Sequence, residues 1–213
     1  MTTKENLNPL LNGAMRFIIY GLLIFLLAEF MYWDARHEVV EEKFLESSYL
    51  EYLQSLLLFL SCIILIWIYK NFHVFRYTAL LMFGFLGASF FREQDLFFET
   101  YLGMGTWQFP VYALLAVVLY TIKKNFFHFL LEVKEYVSSA PFGLFVMGVL
   151  TTYVFSRLFG RKVFWNTVME DRYFRAVKNT AEEGLELYGY MIILIAVIEL
   201  GLMAKMKSQL LMK

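Results

Sequence analysis

The sequence predicts an all-α fold: a polytopic membrane protein, a bundle of about six transmembrane helices with short loops and one interfacial amphipathic helix. Three observations predict it. Sixty per cent of the 213 residues are hydrophobic and 19% aromatic, above the apolar share of about 45–50% typical of soluble domains. The excess is gathered into separated runs of the length a helix needs to cross a bilayer core, about 20 residues. Near the C-terminus, polar residues keep a helical period while the chain passes into an apolar segment. Six spans and their loops use nearly the whole chain, so residues 1–213 are expected to form a single transmembrane domain.

The first span is expected at 17–33, FIIYGLLIFLLAEFMYW. It is too long for the apolar core of most signal peptides, and it ends in bulky residues where a cleavage site wants small ones. Tyr32 and Trp33 suit an interfacial aromatic belt, placing Glu29 about one turn, roughly 6 Å, below it. Residues 34–48 are too charged to span. The second span, 49–69, carries Glu51, Gln54 and Ser55 on one face of its first turns.

The third span, 77–98, is apolar to Phe91, crosses the charged string Arg92–Asp95, and resumes apolar character at Leu96, Phe97 and Phe98. On one continuous helix Arg92, Asp95 and Glu99 share a face, so an internal Arg92–Asp95 pair is expected. Gly103, Gly105 and Pro110 punctuate the approach to the fourth span, 107–122. Between Lys123 and Ser139, the stripe Phe126, Phe127, Leu130 and Leu131 opposes Lys123, Lys124, His128 and Glu132, the pattern of an interfacial helix. Pro141 opens the fifth span, 142–159. Arg157, Arg161 and Lys162 mark its far end, and 185–204 is the sixth.

The stretch Asp171–Leu202 reads as one unbroken helix whose charged part runs into an apolar one. At about 100° per residue Arg172, Arg175, Asn179, Glu183, Glu186 and Tyr190 fall in one narrow arc. A carboxylate at the bilayer centre costs roughly 2.5–3.5 kcal/mol, so Glu183 and Glu186 are expected to face protein or trapped water. With six alternating spans, Glu29, Glu51, Gln54, Arg92, Asp95 and Glu99 lie on the same side of the membrane as that arc. These twelve residues are the candidate cavity, polar at one leaflet, with an apolar opposite end. For Glu38, Glu41, Glu42, Glu46 and Lys178, solvation at a helix end is the simpler account. Glu199 is expected to snorkel toward the inner surface.

Charge and motifs narrow the function. The 19 basic and 19 acidic residues leave no net field, so nucleic acid is not an expected partner. The lipid bilayer is; a lipid headgroup or ion in the cavity, and a second copy or other membrane subunit, are the remaining candidates. Cys62, the only cysteine, can form no internal disulfide. Nucleophile-elbow, phosphate-loop and paired-cysteine or histidine zinc signatures are missing, and no cofactor is named by the sequence. His37 with Asp34, Glu38 and Glu41 makes a weak metal set that a solvated helix explains equally well.

Three function classes follow. In the first, the acidic cavity binds or passes a proton, cation or basic group. The second is a structural or sensor subunit of a membrane assembly. In the third, paired carboxylates act as acid and base on a lipid or lipid-linked substrate, with Arg161, Arg172 or Arg175 holding a phosphate. With both termini cytoplasmic, ten Lys and Arg lie inside and nine outside, six of the nine in the last connection. Because the first helix usually dominates, that orientation is expected, in a bacterial cytoplasmic (inner) membrane.

Overall fold

The structure is a computed structural model that describes residues 3–37 and 48–211, with side chains described from residue 13 onward. It is helical, with no strand among the described residues. In chain order the helices are α1 (Thr3–His37), α2 (Tyr49–Asn71), α3 (Arg76–Glu93), α4 (Asp95–Leu102), α5 (Gln108–Lys124) and α6 (Phe126–Val137). Then come α7 (Ala140–Val149), a π-helical turn (Leu150–Phe155), α8 (Ser156–Phe159), α9 (Lys162–Met169), a 3-10 turn (Glu170–Arg172) and α10 (Arg175–Leu211).

Among the described residues four helices are long and apolar enough to cross a membrane: Gly13–His37, Tyr49–Asn71, Ala140–Phe159 and Arg175–Leu211. The pair α5 and α6, bent by 97°, passes the same test only when taken together as one broken span. Large apolar side chains cover much of the surface as well as the interior. Phe17 is 79% exposed, and Phe25, Val117 and Leu119 also face outward, whereas Gln54, Thr152 and Glu186 are buried within an otherwise apolar core. An apolar surface with a few polar groups turned inward fits an integral membrane protein, because lipid solvates the first and cannot satisfy the second.

α10 is the axis of the bundle. Leu187, Tyr190, Ile193, Val197, Leu200 and Ala204, spaced by three or four residues, are almost completely buried. They pack against α2, α7 and the π turn. Contacts between helices fix their relative directions. Gln54 meets Glu183, and Ile68 lies beside Gly201, so α2 runs parallel to α10. Arg16 meets Glu199 and Met31 lies beside Gly184, so α1 is antiparallel to it. α3 is antiparallel to α2, with Gln94 reaching Ser55, and α5 is antiparallel to α3, with Val118 at Gly84 and Leu114 at Gly87. The π-interrupted helix is antiparallel to α10, joined at Gly148 and Gly189.

Local chemistry explains the ends. Ser48 caps α2, its Oγ accepting from the Glu51 N–H, in the Ser-x-x-Glu spacing of a helix start. Before α3 the chain turns through Phe75 at φ 59°, a conformation costly for a bulky residue. Complete burial of the ring offsets part of that cost. The first N–H groups of α3 are satisfied by Glu132 of α6, whose carboxylate accepts from Tyr77 (2.7 Å) and Thr78 (2.9 Å). Phe126, Phe127, Leu130 and Leu131 on the other side of α6 are exposed.

Three expectations need correction. The third span does not run unbroken to residue 98, because the helix stops at Glu93 and restarts at Asp95. At the break the Gln94 N–H donates to the Phe91 carbonyl at 3.2 Å, and Asp95 at the start of α4 accepts from the Leu96 N–H at 2.6 Å. The last long helix begins at Arg175 rather than Asp171, and Arg172 sits in the 3-10 turn before it, off the expected arc. The end of the bundle away from the candidate cavity is not simply apolar. Glu199 pairs with Arg16 at 2.8 Å and accepts from the Tyr20 hydroxyl instead of reaching alone to the surface. Lys207 pairs there with Glu135.

Candidate functional site

The first turns of α10 present their polar side chains to three neighbours at once. Lys178, Glu182 and Glu186 recur every four residues and face α8, Glu183 faces α2, and Tyr190 faces α3. On the α8 side Arg157 bridges two carboxylates, with one guanidinium nitrogen 3.0 Å from Glu182 and the other 3.1 Å from Glu186. Lys178 also pairs with Glu182, so its expected solvation gives way to an i, i+4 ion pair. Ser156 Oγ lies 3.4 Å from Glu186 Oε1. It donates to the Thr152 carbonyl.

The π turn explains how Arg157 reaches this position. Gly148 packs against α10, and a residue nine positions later on a regular α-helix points about 180° away. The wider π turn between them underwinds the helix. Thr152 and Ser156 then stay on the buried side, and Arg157 reaches the carboxylates of α10.

On the α2 side, Gln54 Nε2 donates to the Glu183 carboxylate at 3.1 Å and lies 3.3 Å from its carbonyl. On the α3 side, Glu93 accepts from the Tyr190 hydroxyl at 2.8 Å and from Arg92 at 2.5 Å. Arg92 also lies over the Tyr153 ring, 5.9 Å from its centroid, and Tyr153 donates to Ser89 at 2.6 Å. The expected Arg92–Asp95 pair is replaced by Arg92–Glu93, because the break at Gln94 turns Asp95 out into the exposed surface.

Of the twelve sequence candidates, Gln54, Arg92, Glu183, Glu186 and Tyr190 therefore meet partners on other helices or neighbouring acids of the cluster. Asn179 is buried one turn above Glu183. Glu51 is half-buried at the start of α2. Glu29, Asp95, Glu99, Arg172 and Arg175 are exposed. Of the weak metal set, Glu38 and Glu41 lie outside the described residues, as do Glu42 and Glu46. His37 is exposed, its Nδ1 2.7 Å from the Trp33 carbonyl. Asp34 is buried. No group of three or more His, Cys, Asp or Glu side chains among the described residues is placed to hold a metal ion.

Sequence reasoning missed Arg157, Glu182 and Glu93. Arg157 looks like the end of a span, and no pattern announces a π turn. Glu182 lies one residue off the chosen arc, although Lys178, Glu182 and Glu186 at four-residue spacing were a usable signal. Glu93 was hidden by the assumption that α3 continues past it.

Among the described residues the contacts join four carboxylates, Glu93, Glu182, Glu183 and Glu186, to three cations, Arg92, Arg157 and Lys178. Glu183 meets an amide and, among the described residues, no cation within ion-pair distance. No family model, curated protein or solved structure matches the chain.

Proposed function

We propose that this protein is a six-span membrane protein that binds one proton, monovalent cation or basic group at Glu183, with both termini on the cytoplasmic side. The observation that carries the reading is the surplus of one carboxylate over the cations in the cluster among the described residues. An unmatched negative charge in a low-dielectric bundle is unfavourable, and a proton or cation beside Glu183 removes it. Six crossings are supported by the strict alternation of α1, α2, α3, α5, the π-interrupted helix and α10, although α3 carries charges at both ends and α5 is short.

The scaffold reading is favoured by one contact, the Arg157 bridge, which ties α8 to α10 whether or not anything binds. The enzyme reading is weaker here. Arg161, Arg172 and Arg175, its candidate phosphate holders, are exposed and form no ion pair with the carboxylates among the described residues.

Equilibrium binding of radioactive sodium and rubidium to the purified chain in lipid nanodiscs tests the proposal, together with proton uptake read by an indicator dye. The wild type should take up about one cation or proton per chain. Glu183→Gln should lose that uptake at normal abundance, while Glu186→Gln should chiefly lower thermal stability. Uptake by Glu183→Gln equal to wild type, or none by either protein, would leave only the scaffold.

A further inference from the structure

Beside the cluster, at the same end of the bundle, a cavity of about 360 Å3 opens between the start of α2, the end of α3, and α4. Its size lies within the range of small-molecule sites, about 300–1,000 Å3, and far exceeds the roughly 30 Å3 occupied by one water. A bare ion would leave it mostly unfilled. Glu51 and Glu93 belong to its lining, from α2 and α3, and among the described residues no Lys, Arg or His does.

Aromatic rings supply the rest of its character. Tyr52 contributes from α2, and Phe97 and Tyr101 contribute from α4 with their ring centroids 5.0 Å apart. All three are more than half exposed, so they border the mouth. Gln94 donates to Ser55 at 2.7 Å, pinning the α3–α4 junction to α2 and holding the walls apart at a defined distance. Aromatic faces with a carboxylate form the environment that recognises an organic ammonium: the rings attract its charge and bury its carbon substituents. A neutral ligand of the same shape gains only the second part.

We propose that this cavity binds an organic ammonium ion, an alkyl- or arylalkylamine in its protonated form, with the nitrogen toward Glu93 and the apolar substituent against the Phe97 and Tyr101 rings. The inference deepens the reading of the cluster as a cation site and rests on it, since Glu93 belongs to both. Glu93 is shared with Arg92 and with Tyr190 of α10. A charge arriving in the cavity is thus felt one hydrogen bond away in the central helix.

Isothermal titration of the full chain in nanodiscs with phenethylammonium, against phenethyl alcohol as the neutral isostere, tests it. The amine should bind one per chain and at least tenfold more tightly than the alcohol. Phe97→Ala, at an exposed position that does not support the core, and Glu51→Gln should each weaken amine binding at least tenfold. Equal binding of amine and alcohol, no amine binding, or affinity unchanged in both variants would overturn the proposal. Sodium and proton uptake in the same preparations separates the two readings. Uptake that persists without amine binding sinks the cavity alone, and absence of both sinks the cation site as well.

Discussion

Glycine marks where the helices cannot separate, and the same residue type has opposite consequences at two sites on α10. A Cβ at Gly189 would stand 2.9 Å from the Thr152 nitrogen and 3.0 Å from the Gly148 carbonyl oxygen, both backbone atoms. The crossing would have to open, and overpacking of this kind costs about 1–3 kcal/mol. At Gly184 the nearest obstacle is Met31 Cε at 2.6 Å, the free end of a flexible side chain. There alanine gains up to about 1 kcal/mol of helix propensity against a small rearrangement. Thermal unfolding in detergent should therefore place Gly189→Ala well below wild type and Gly184→Ala near or above it; the reverse order would refute the close crossing. Gln54, Glu183, Glu186 and Tyr190 were legible at this scale because α2 and α10 are regular, so a projection at 100° per residue keeps its phase. Arg157 and Glu93 were not, since each sits beside an irregular step that resets the phase.

Two irregular elements, the π turn and the break at Gln94, shape the candidate site more than any single span does. A π turn is what a helix makes of one extra residue, so removing that residue should restore a plain α-helix with its flanks in place. Val154 lies in the turn and faces outward. Deleting it is expected to leave Arg157 on Glu182 and Glu186, with a folded protein whose stability still falls in Glu186→Gln. Inserting one alanine after Val154 should instead rotate Ser156 and Arg157 by about 100° and strand two carboxylates, a large loss for buried charge. Melting temperatures of the two variants, each with and without Glu186→Gln, check this. If deletion and insertion are equally damaging, the π turn is not what delivers Arg157. The same lesson holds at Gln94, whose backbone at φ −100° and ψ 13° ends a helix that hydrophobicity alone would extend. Periodicity reports the regular parts of an element and is silent on where it breaks.

For the whole molecule, the apolar surface of long helices was legible from composition and run length. The number of crossings was harder, because α3 has Arg76, Arg92 and Glu93 at its ends and α5 is cut short by a 97° bend. Those features lower the apolar signal of two helices without changing their direction, and direction is set instead by contacts such as Gln94 with Ser55 and Val118 with Gly84. If all six helices cross, exposed positions must alternate between two faces. His37, Glu99 and Arg172 then share one side, and His73, Lys124 and Lys205 share the other; all six are exposed. Single cysteines at these positions, in a Cys62→Ser background, should react with an impermeant maleimide from opposite sides of sealed vesicles. The first set should be external, as cytoplasmic termini require. Labelling of positions 37 and 73 from the same side would remove α2 as a crossing, and of 73 and 99 would remove α3. Full alternation with the first set cytoplasmic would keep the bundle and reverse its orientation, placing Glu183 and the amine-sized cavity at the inner leaflet.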